Sequence, residues 1–239
     1  MYDLLRKQVI LFCSFLISST ALFGQSQMHR PDHDDWSYYF GITLGYNNSH
    51  LHATKHPRFL QSDSILSANP LSGGGINLGL HATLRISDYW QFRINPQLML
   101  GGAQSIAYEL GTARPGEPLV QKQVLPTTIL ALPMHFKFNS DRIGNFRAYL
   151  LGGVRYHYDM SSNATARNAE DLVKLRASDW GLEAGVGFNF FLPFVTISPE
   201  IKFSQGISNI HQRDPALKFS NVLDRIQSRM IFFSIHIED

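Results

Sequence analysis

Two groups of side chains near the start of the chain are of the types that bind metal ions. His50, His52 and His56 lie close together in one predicted loop, and imidazole is a common ligand of transition metals. The run Asp32-His33-Asp34-Asp35 offers carboxylate oxygens of the kind that calcium prefers. The histidines lack a defined fourth ligand, and the acidic run lacks the further oxygen ligands of a calcium loop. We therefore predict no metal site and no cofactor, and we interpret both groups as solvated.

Two serine–histidine pairs are candidates for nucleophilic catalysis. Ser208 lies three residues before His211, and Ser49 directly precedes His50. A serine beside a histidine base can attack an acyl group, but the histidine also needs a third group to orient it. No such group is apparent for either pair. The sequence thus predicts no catalytic residue, and a lipid-modifying enzyme is the least favoured interpretation.

Residues 1–24 have the order of a secretory signal peptide. Arg6 and Lys7 precede an apolar stretch from Val9 to Ile17, and small residues surround Ala21 to Gly24. We expect cleavage between Ala21 and Gln25, and we expect residues 25–35 to form a periplasmic N-terminal tether ahead of a single domain over 36–239. Cys13, the only cysteine, lies inside the predicted signal peptide and follows a bulky Phe12. The mature chain is therefore expected to carry neither a disulfide nor a lipidated cysteine.

The composition excludes some classes of function. The 239-residue chain has a net charge of +2 and no basic cluster, so nothing indicates a nucleic-acid partner. No stretch after the signal peptide approaches the roughly 18 apolar residues of a spanning helix.

The dominant pattern is alternation of apolar and polar residues with period two, which is typical of β-strands. In one strand Ile76, Leu78 and Leu80 alternate with Asn77 and Gly79. Eight segments share this pattern: 40–46, 76–86, 90–100, 130–138, 146–158, 180–190, 195–203 and 231–237. The links between them alternate between short (87–89, 139–145, 191–194) and long (48–72, 101–125, 159–178, 205–225). We therefore predict an all-β fold: an eight-stranded, antiparallel, up-and-down transmembrane β-barrel with short periplasmic turns and long extracellular loops.

The distribution of charge decides which face meets lipid. A soluble barrel of the lipocalin kind also alternates, but it carries its polar face outside. Here one face of all eight segments is apolar, aromatic and free of charge, as a lipid-facing surface requires. We predict a lipid-facing belt that includes Leu78, Leu80, Phe92, Ile94, Leu150, Val186, Ile197 and Phe233. We predict a polar network in the barrel interior that contains His81, Arg85, Arg93, His135, Lys137, Arg147, Arg155, His157, Glu183, Glu200 and Lys202.

Three prolines run against this pattern. Pro96, Pro133 and Pro199 fall inside predicted strands, where each removes a hydrogen-bond donor from a barrel that has no free edge. We expect local bulges at these positions, or positions close to a rim.

Several segments resemble PorT-type proteins, which are outer-membrane β-barrels associated with the type IX secretion system of Gram-negative bacteria. The segments that carry the resemblance are 145–153 (NFRAYLLGG), 192–194 (LPF) and 197–204 (ISPEIKFS), with weaker support from 75–80 and from Ser228-Arg229 through Ile237-Glu238. The resemblance covers roughly residues 36 to 239. The chain departs from many barrels in ending Ile237-Glu238-Asp239 and not on an aromatic residue.

The resemblance implies a non-enzymatic role in protein export across the bacterial outer membrane. The alternation of short and long links places both termini in the periplasm. Outer-membrane lipids and other secretion-system proteins would be the partners. Because eight strands leave an interior just wide enough for side chains, the barrel itself is not expected to be the channel. A structural or adhesive barrel that binds external ligands through its loops is the alternative.

Overall fold

The computed structural model describes residues 28–57, 65–101, 104–111, 118–125, 127–162, 174–212 and 222–239, so the predicted signal peptide lies outside the described residues. A short 3-10 helix, Pro31–Asp35, precedes twelve strands. The strands are β1 (Tyr38–Lys55), β2 (Ile65–Leu71), β3 (Gly73–Arg85), β4 (Trp90–Ile94), β5 (Gln97–Gly101), β6 (Gln104–Leu110), β7 (Val120–Leu125), β8 (Thr128–Asn139), β9 (Phe146–Asp159), β10 (Ser178–Phe191), β11 (Thr196–Gly206) and β12 (Leu223–Glu238).

Nine of these strands form one closed antiparallel barrel. Their order is β1-β12-β11-β10-β9-β8-β4-β3-β5, and the additional β1–β3 and β8–β5 pairings close the ring. Because β4 and β5 both lie between β3 and β8, they share one position, and the ring has eight positions. The predicted eight-stranded up-and-down barrel is confirmed. We call its two ends the short-turn end, which holds the links 86–89, 140–145 and 192–195, and the long-loop end.

Side chains alternate between the lumen and the outer surface along every barrel strand. On β10, for example, Trp180, Leu182 and Val186 are exposed on the outer face while Glu183 and Asn189 are buried inside. A strand places successive side chains on opposite faces, so the period-two pattern of the sequence becomes an apolar outside and a polar inside. Within the part of the chain that the structure describes, no helix is long and apolar enough to cross a membrane.

Pro96 and Pro133 share one interruption in the barrel wall. The segment 90–100, predicted as one strand, is divided into β4 and β5 at Asn95-Pro96. Pro133 of β8 lies beside this gap, since Met134 pairs with Ile94 and Ala131 pairs with Gln97. Pro133 has no N–H to donate, but it lies where the ladder between β8 and its neighbours is already interrupted. The Asn95 N–H still donates to the Pro133 carbonyl oxygen at 3.1 Å.

Pro199 interrupts the ladder between β10 and β11. Pairing stops after Gly187↔Glu200 and resumes at Phe190↔Ile197 without a change of register. Within the gap, the Ser198 hydroxyl donates to Asn189 Oδ1 at 3.0 Å. This side-chain bond joins the two strands where the proline cannot.

The long links contain more structure than the sequence pattern predicts. β1 runs nine residues past the predicted end at residue 46, to Lys55, and β12 begins at Leu223. Three further strands form a separate sheet in the order β2-β6-β7. β2 lies in the link 48–72, and β6 and β7 lie in the link 101–125. This sheet packs on the ends of β1 and β12 through a cluster of buried residues: Leu51, Ile65, Ala68, Ile106, Tyr108, Leu110, Leu175, Ile210, Val222, Leu223 and Ile226. We call the sheet and this cluster the cap.

Two adjacent glycines of β9 test how closely the strands approach. A Cβ on Gly153, which faces the lumen, would lie 2.8 Å from the His135 Cα and closer still to the Met134 carbonyl oxygen. A Cβ on Gly152, which faces outward, would have its nearest contact at 3.9 Å, the Glu183 carbonyl oxygen. Because backbone atoms cannot move aside cheaply, we expect Gly153→Ala to lower the free energy of unfolding by about 1–3 kcal/mol.

The matched control is Gly152→Ala, for which we expect a change within about 0.5 kcal/mol. Urea unfolding in detergent micelles measures both. Equal effects of the two substitutions would contradict the described register between β8 and β9.

Candidate functional site

The lumen contains a network of buried charges centred on Arg93. The Arg93 guanidinium lies 2.9 Å from Glu200 Oε2 and 3.0 Å from Glu238 Oε1. Tyr149 donates its hydroxyl to Glu200 at 2.9 Å, and His236 lies 3.4 Å from the same carboxylate. A buried charge persists only when it is paired and hydrogen-bonded, and Arg93 meets that condition by joining two carboxylates from β11 and β12.

A second group of charges surrounds Glu183, nearer the long-loop end. Glu183 Oε2 lies 2.7 Å from His135 Nε2 and 3.0 Å from Lys202 Nζ. Arg155 lies 3.8 Å from the other oxygen of Glu183 and 3.2 Å from Asp179. The Arg155 guanidinium also contacts the His157 ring.

The buried charges balance. Among the residues that the structure describes, the buried cations are Arg93, Lys137, Arg155 and Lys202, and the buried anions are Asp179, Glu183, Glu200 and Glu238, so four formal positive charges oppose four negative ones. Lys137, which is fully buried, places its ammonium 4.1 Å from the centre of the Tyr149 ring. These side chains are packed against one another and fill the lumen, and their formal charges cancel.

Histidines and Thr43 link this network across the barrel. The Thr43 hydroxyl lies 2.9 Å from His236 Nδ1 and 3.2 Å from His81 Nδ1. The His81 ring in turn lies 3.3 Å from Glu238. Thr43 also donates to Asn95 Oδ1 at 3.2 Å, so the interruption at Pro96 is held by the same cluster.

The predicted interior residues divide into a buried set and a rim set. The buried set comprises His81, Arg93, His135, Lys137, Arg155, His157, Glu183, Glu200 and Lys202. Arg85 and Arg147 lie at the short-turn rim: Arg85 pairs with the exposed Asp88 at 2.8 Å, and Arg147 pairs with Asp34 at 2.9 Å. Of the predicted belt, Leu78, Leu80, Ile94, Leu150, Val186 and Phe233 are exposed on the outer face. Phe92 and Ile197 are half-buried there among their neighbours.

Sequence reasoning missed several members of the network. Glu238 is the clearest case, because the last predicted strand ends at residue 237, whereas β12 continues to Glu238. The period-two pattern of Ser234 and His236 on the inner face extends to Glu238, and that signal could have placed its carboxylate inside. Thr43 and Asp179 were missed because a neutral residue and a strand-end residue carry no distinctive pattern.

The segment before the first strand covers the short-turn end. The sequence predicts a solvated tether here, but the side chain of His33 is buried at 6% exposure. Its ring lies 4.9 Å from that of Tyr39 and 5.7 Å from that of Phe191. Asp34 is held by Arg142 at 3.0 Å as well as by Arg147. The tether interpretation is therefore wrong in one respect: residues 28–36 are docked, because aromatic packing and ion pairs outweigh solvation of a short acidic run.

Burial of the His33 ring makes this docking sensitive to pH. Desolvation lowers the pKa of His33 from 6.5 to about 4, and the charged groups that face it act in both directions. Glu238 and Asp34 raise the pKa, whereas Arg30 and Lys137 lower it. Since the docked state disfavours the imidazolium, docking is strongest above pH 6.5 and weakens as the pH falls toward 4.

We expect residues 28–36 to dock about tenfold more weakly at about pH 5.5 than at about pH 7.5. The mobility of a spin label on Asp32→Cys, which is exposed, measures the docked fraction without itself titrating in this range. His33→Phe is the control, because it keeps the packing on Tyr39 and Phe191 and removes the titrating group. A pH response that survives in His33→Phe would assign the effect to another group.

The structure separates the serine and histidine of one candidate catalytic pair. Ser49 is buried and accepts a hydrogen bond from Gln104 of the cap, whereas His50 lies on the opposite face of β1 and contacts Ser72 at 3.4 Å. In the other pair, the Ser208 hydroxyl accepts from the Trp180 N–H at 3.1 Å. His211 Nδ1 lies 3.4 Å from the Asp224 carbonyl oxygen. Among the described residues, no group of three or more His, Cys, Asp or Glu side chains is arranged to hold a metal ion.

Comparison with known proteins gives one family and several solved structures. Residues 23–212 match the family model described as outer membrane protein beta-barrel domain. Neisserial surface protein A (NspA) is 11% identical with a TM-score of 0.41, over 83% of this chain and 96% of that chain. OprG from Pseudomonas aeruginosa is 16% identical with a TM-score of 0.46, over 84% of this chain and 95% of that chain. Ail, the attachment invasion locus protein of Yersinia pestis, solved with the heparin analogue sucrose octasulfate, is 13% identical with a TM-score of 0.37, over 85% of this chain and 100% of that chain. No curated protein matches the chain.

Proposed function

We propose that this chain is a non-enzymatic accessory component of type IX protein secretion. It belongs to the family of outer membrane protein beta-barrel domains and is an integral outer-membrane barrel. The observation that carries the proposal is the resemblance to PorT-type proteins over residues 145–153 and 197–204. The first of these segments forms the first half of β9, and the second forms most of β11.

The filled lumen supports an accessory role over that of a conduit. Arg93, Lys137 and Arg155 are each at most 1% exposed, and removing any of them from its buried partners would be costly. A polypeptide cannot pass through a space that these side chains occupy. The barrel would therefore contribute to export by binding other proteins of the machine at its ends or at its outer face.

The orientation that we propose places the short-turn end and both termini in the periplasm. Short turns on that side and long loops outside are usual for bacterial barrels. The docked residues 28–36 would then be accessible to periplasmic partners, and the cap would face the exterior.

Deletion of the gene tests the secretion role. We expect cargo proteins to accumulate in the cell and to disappear from the secreted fraction, with recovery when the wild-type gene is restored. The total amount of other outer-membrane barrels serves as the control, since a general assembly defect would lower it. Unchanged secretion of cargo would reject the role.

A structural or adhesive barrel is the second candidate, and the cap is the observation that favours it. The cap sheet has its own buried cluster, including Ile106 and Tyr108, each 0% exposed, so the long-loop end carries a folded surface. A strain that keeps cargo secretion but loses binding to external surfaces after deletion would favour this candidate. A lipid-modifying enzyme is disfavoured by the opposite directions of Ser49 and His50; altered lipid chains in the deletion strain and loss of activity in Ser208→Ala would support it.

A further inference from the structure

The outer face of three neighbouring strands changes from apolar to polar at one level. On β12 the outward residues run Phe233, Ile231, Arg229, Gln227 and Arg225 toward the long-loop end. On β1 the corresponding residues run Tyr46, Asn48, His50, His52 and Thr54, and on β11 they run Ile201, Phe203 and Gln205. The apolar side of this boundary is the end of the belt on these strands.

The register places the polar residues at three successive levels beyond the belt. His50 and Gln205 both pair with Arg229, one from each side, while His52 pairs with Gln227 and Thr54 pairs with Arg225. The row directly below contains Asn48, Ile231 and Phe203. We call His50, His52, Arg225 and Arg229, which follow one another along β1 and β12 at these levels, the basic row. Consecutive outward positions on a strand are about 7 Å apart, so the basic row begins about 7 Å from the apolar surface.

Neighbouring groups hold the two arginines against the wall. Arg229 Nε donates to Gln205 Oε1 at 2.9 Å, and Arg225 Nη2 donates to the Ile207 carbonyl oxygen at 2.8 Å. Both residues are nevertheless exposed. Each guanidinium has five N–H donors, and these contacts use one of them in each arginine.

The arginines of the basic row differ from those at the other end in forming no ion pair among the described residues. Arg30, Arg85, Arg142 and Arg147 at the short-turn end are all paired with aspartates at 3.6 Å or less. Arg225 and Arg229 form no ion pair with any carboxylate in the part of the chain that the structure describes. Exposed arginines that stand beside histidines and are paired with no described carboxylate attract an external anion.

We propose that the basic row binds the phosphate of an acylated glycolipid in the outer leaflet. Arginine matches phosphate geometry through paired N–H donors. A phosphate held by Arg229 would stand just above Ile231 and Phe203, where acyl chains attached to the same molecule would contact the belt. Arg225 lies two outward positions, about 14 Å, farther from the belt and adds to the positive field. An amphiphile thus gains from both rows, whereas free phosphate gains only from the basic one. The proposal rests on the outer-membrane orientation given above.

Binding of monophosphoryl lipid A to the purified full-length mature barrel in a non-ionic detergent tests the proposal. We expect the wild-type barrel to bind this lipid. The double variant Arg225→Gln/Arg229→Gln should bind it roughly tenfold or more weakly. Wild type should bind the dephosphorylated lipid as weakly as the double variant binds the intact lipid. Lys122→Gln is the control: it removes an exposed charge from the outer face of the cap, away from the belt, and should change binding by less than about twofold.

Three results would overturn the proposal. Equal binding by wild type and the double variant would remove the arginines from the site. Displacement of the lipid by millimolar inorganic phosphate would show a free-anion site instead. If the affinity of wild type stays the same when the salt concentration is raised from low to moderate, a charge-based contact is excluded. This measurement does not depend on the folding of any variant.

The orientation and the secretion role can be tested independently of this binding site. A membrane-impermeant thiol reagent should label Lys122→Cys in intact cells if the long-loop end is outside, and lack of labelling would reverse the orientation without altering binding in detergent. Unchanged cargo secretion in the deletion strain would reject the secretion role alone.

Discussion

Replacing Arg93 by methionine is expected to lower the free energy of unfolding by about 3–5 kcal/mol. Methionine approximates the volume of the lost side chain, so the loss is mainly electrostatic. The substitution leaves Glu200 and Glu238 in the lumen without the cation that lies 2.9 Å and 3.0 Å from them. Heat resistance on gels and urea unfolding in detergent micelles, followed by tryptophan fluorescence, measure the effect.

The control is Arg85→Met at the short-turn rim. Arg85 also pairs with a carboxylate at 2.8 Å, but the side chain of its partner Asp88 is 83% exposed. An ion pair that reaches water contributes about 1 kcal/mol or less. Adding Glu238→Gln to Arg93→Met should recover part of the loss, because it removes one of the two uncompensated charges. Equal destabilisation by Arg93→Met and Arg85→Met would contradict the assignment of the lumen as a desolvated network.

Leu80→Arg is expected to impair assembly in the outer membrane, at a cost of about 2–4 kcal/mol if the residue lies near the middle of the bilayer. Leu80 lies in the middle of β3 and is 65% exposed on the outer face. In a soluble protein an arginine at such a position would be tolerated or would improve solubility. The expected sign is therefore opposite in the two environments, and the amount of folded protein in outer-membrane fractions decides between them.

His81→Gln is the neighbouring control for Leu80→Arg. His81 is buried in the lumen, where its ring contacts Thr43 and Glu238. Glutamine keeps a polar group in this position, so we expect a milder loss than for Leu80→Arg. If fractions from both variants contain equal amounts of folded barrel, the assigned faces are wrong.

The barrel could be predicted from the sequence because its signal is repeated. Residues such as Leu78, Val186 and Phe233 recur with period two on separate strands, and charge is absent from that face within the eight predicted segments. A single misread position does not change the result, because the membrane imposes the same requirement on every strand.

The cap and the docked N-terminal segment could not be predicted, because each depends on contacts between distant parts of the chain. Ile106 and Tyr108 of the cap become buried only when β1 and β12 extend beyond the barrel to meet them. His33 is surrounded by polar residues in sequence, and its burial depends on Tyr39 of β1 and Phe191 of β10, which are far apart in the sequence. Local pattern carries no information about such pairings.

The pairings inside the lumen were partly open to prediction. Inward charges of both signs indicated that ion pairs would form, but which partners meet depends on strand order around the ring. Arg93 and Glu238 are 145 positions apart, and they meet because closure of the ring through β1 brings β12 close to the other side of the lumen.

The behaviour of the purified mature chain without detergent tests the central claim most directly. The claim is that the exposed apolar face, including Leu80 and Phe233, lies against acyl chains. Sedimentation after detergent removal should show aggregation or loss of the folded barrel, with recovery of a folded monomer when detergent or lipid is restored. A stable, folded monomer in plain buffer would contradict the claim, and the secretion role that depends on it would be abandoned.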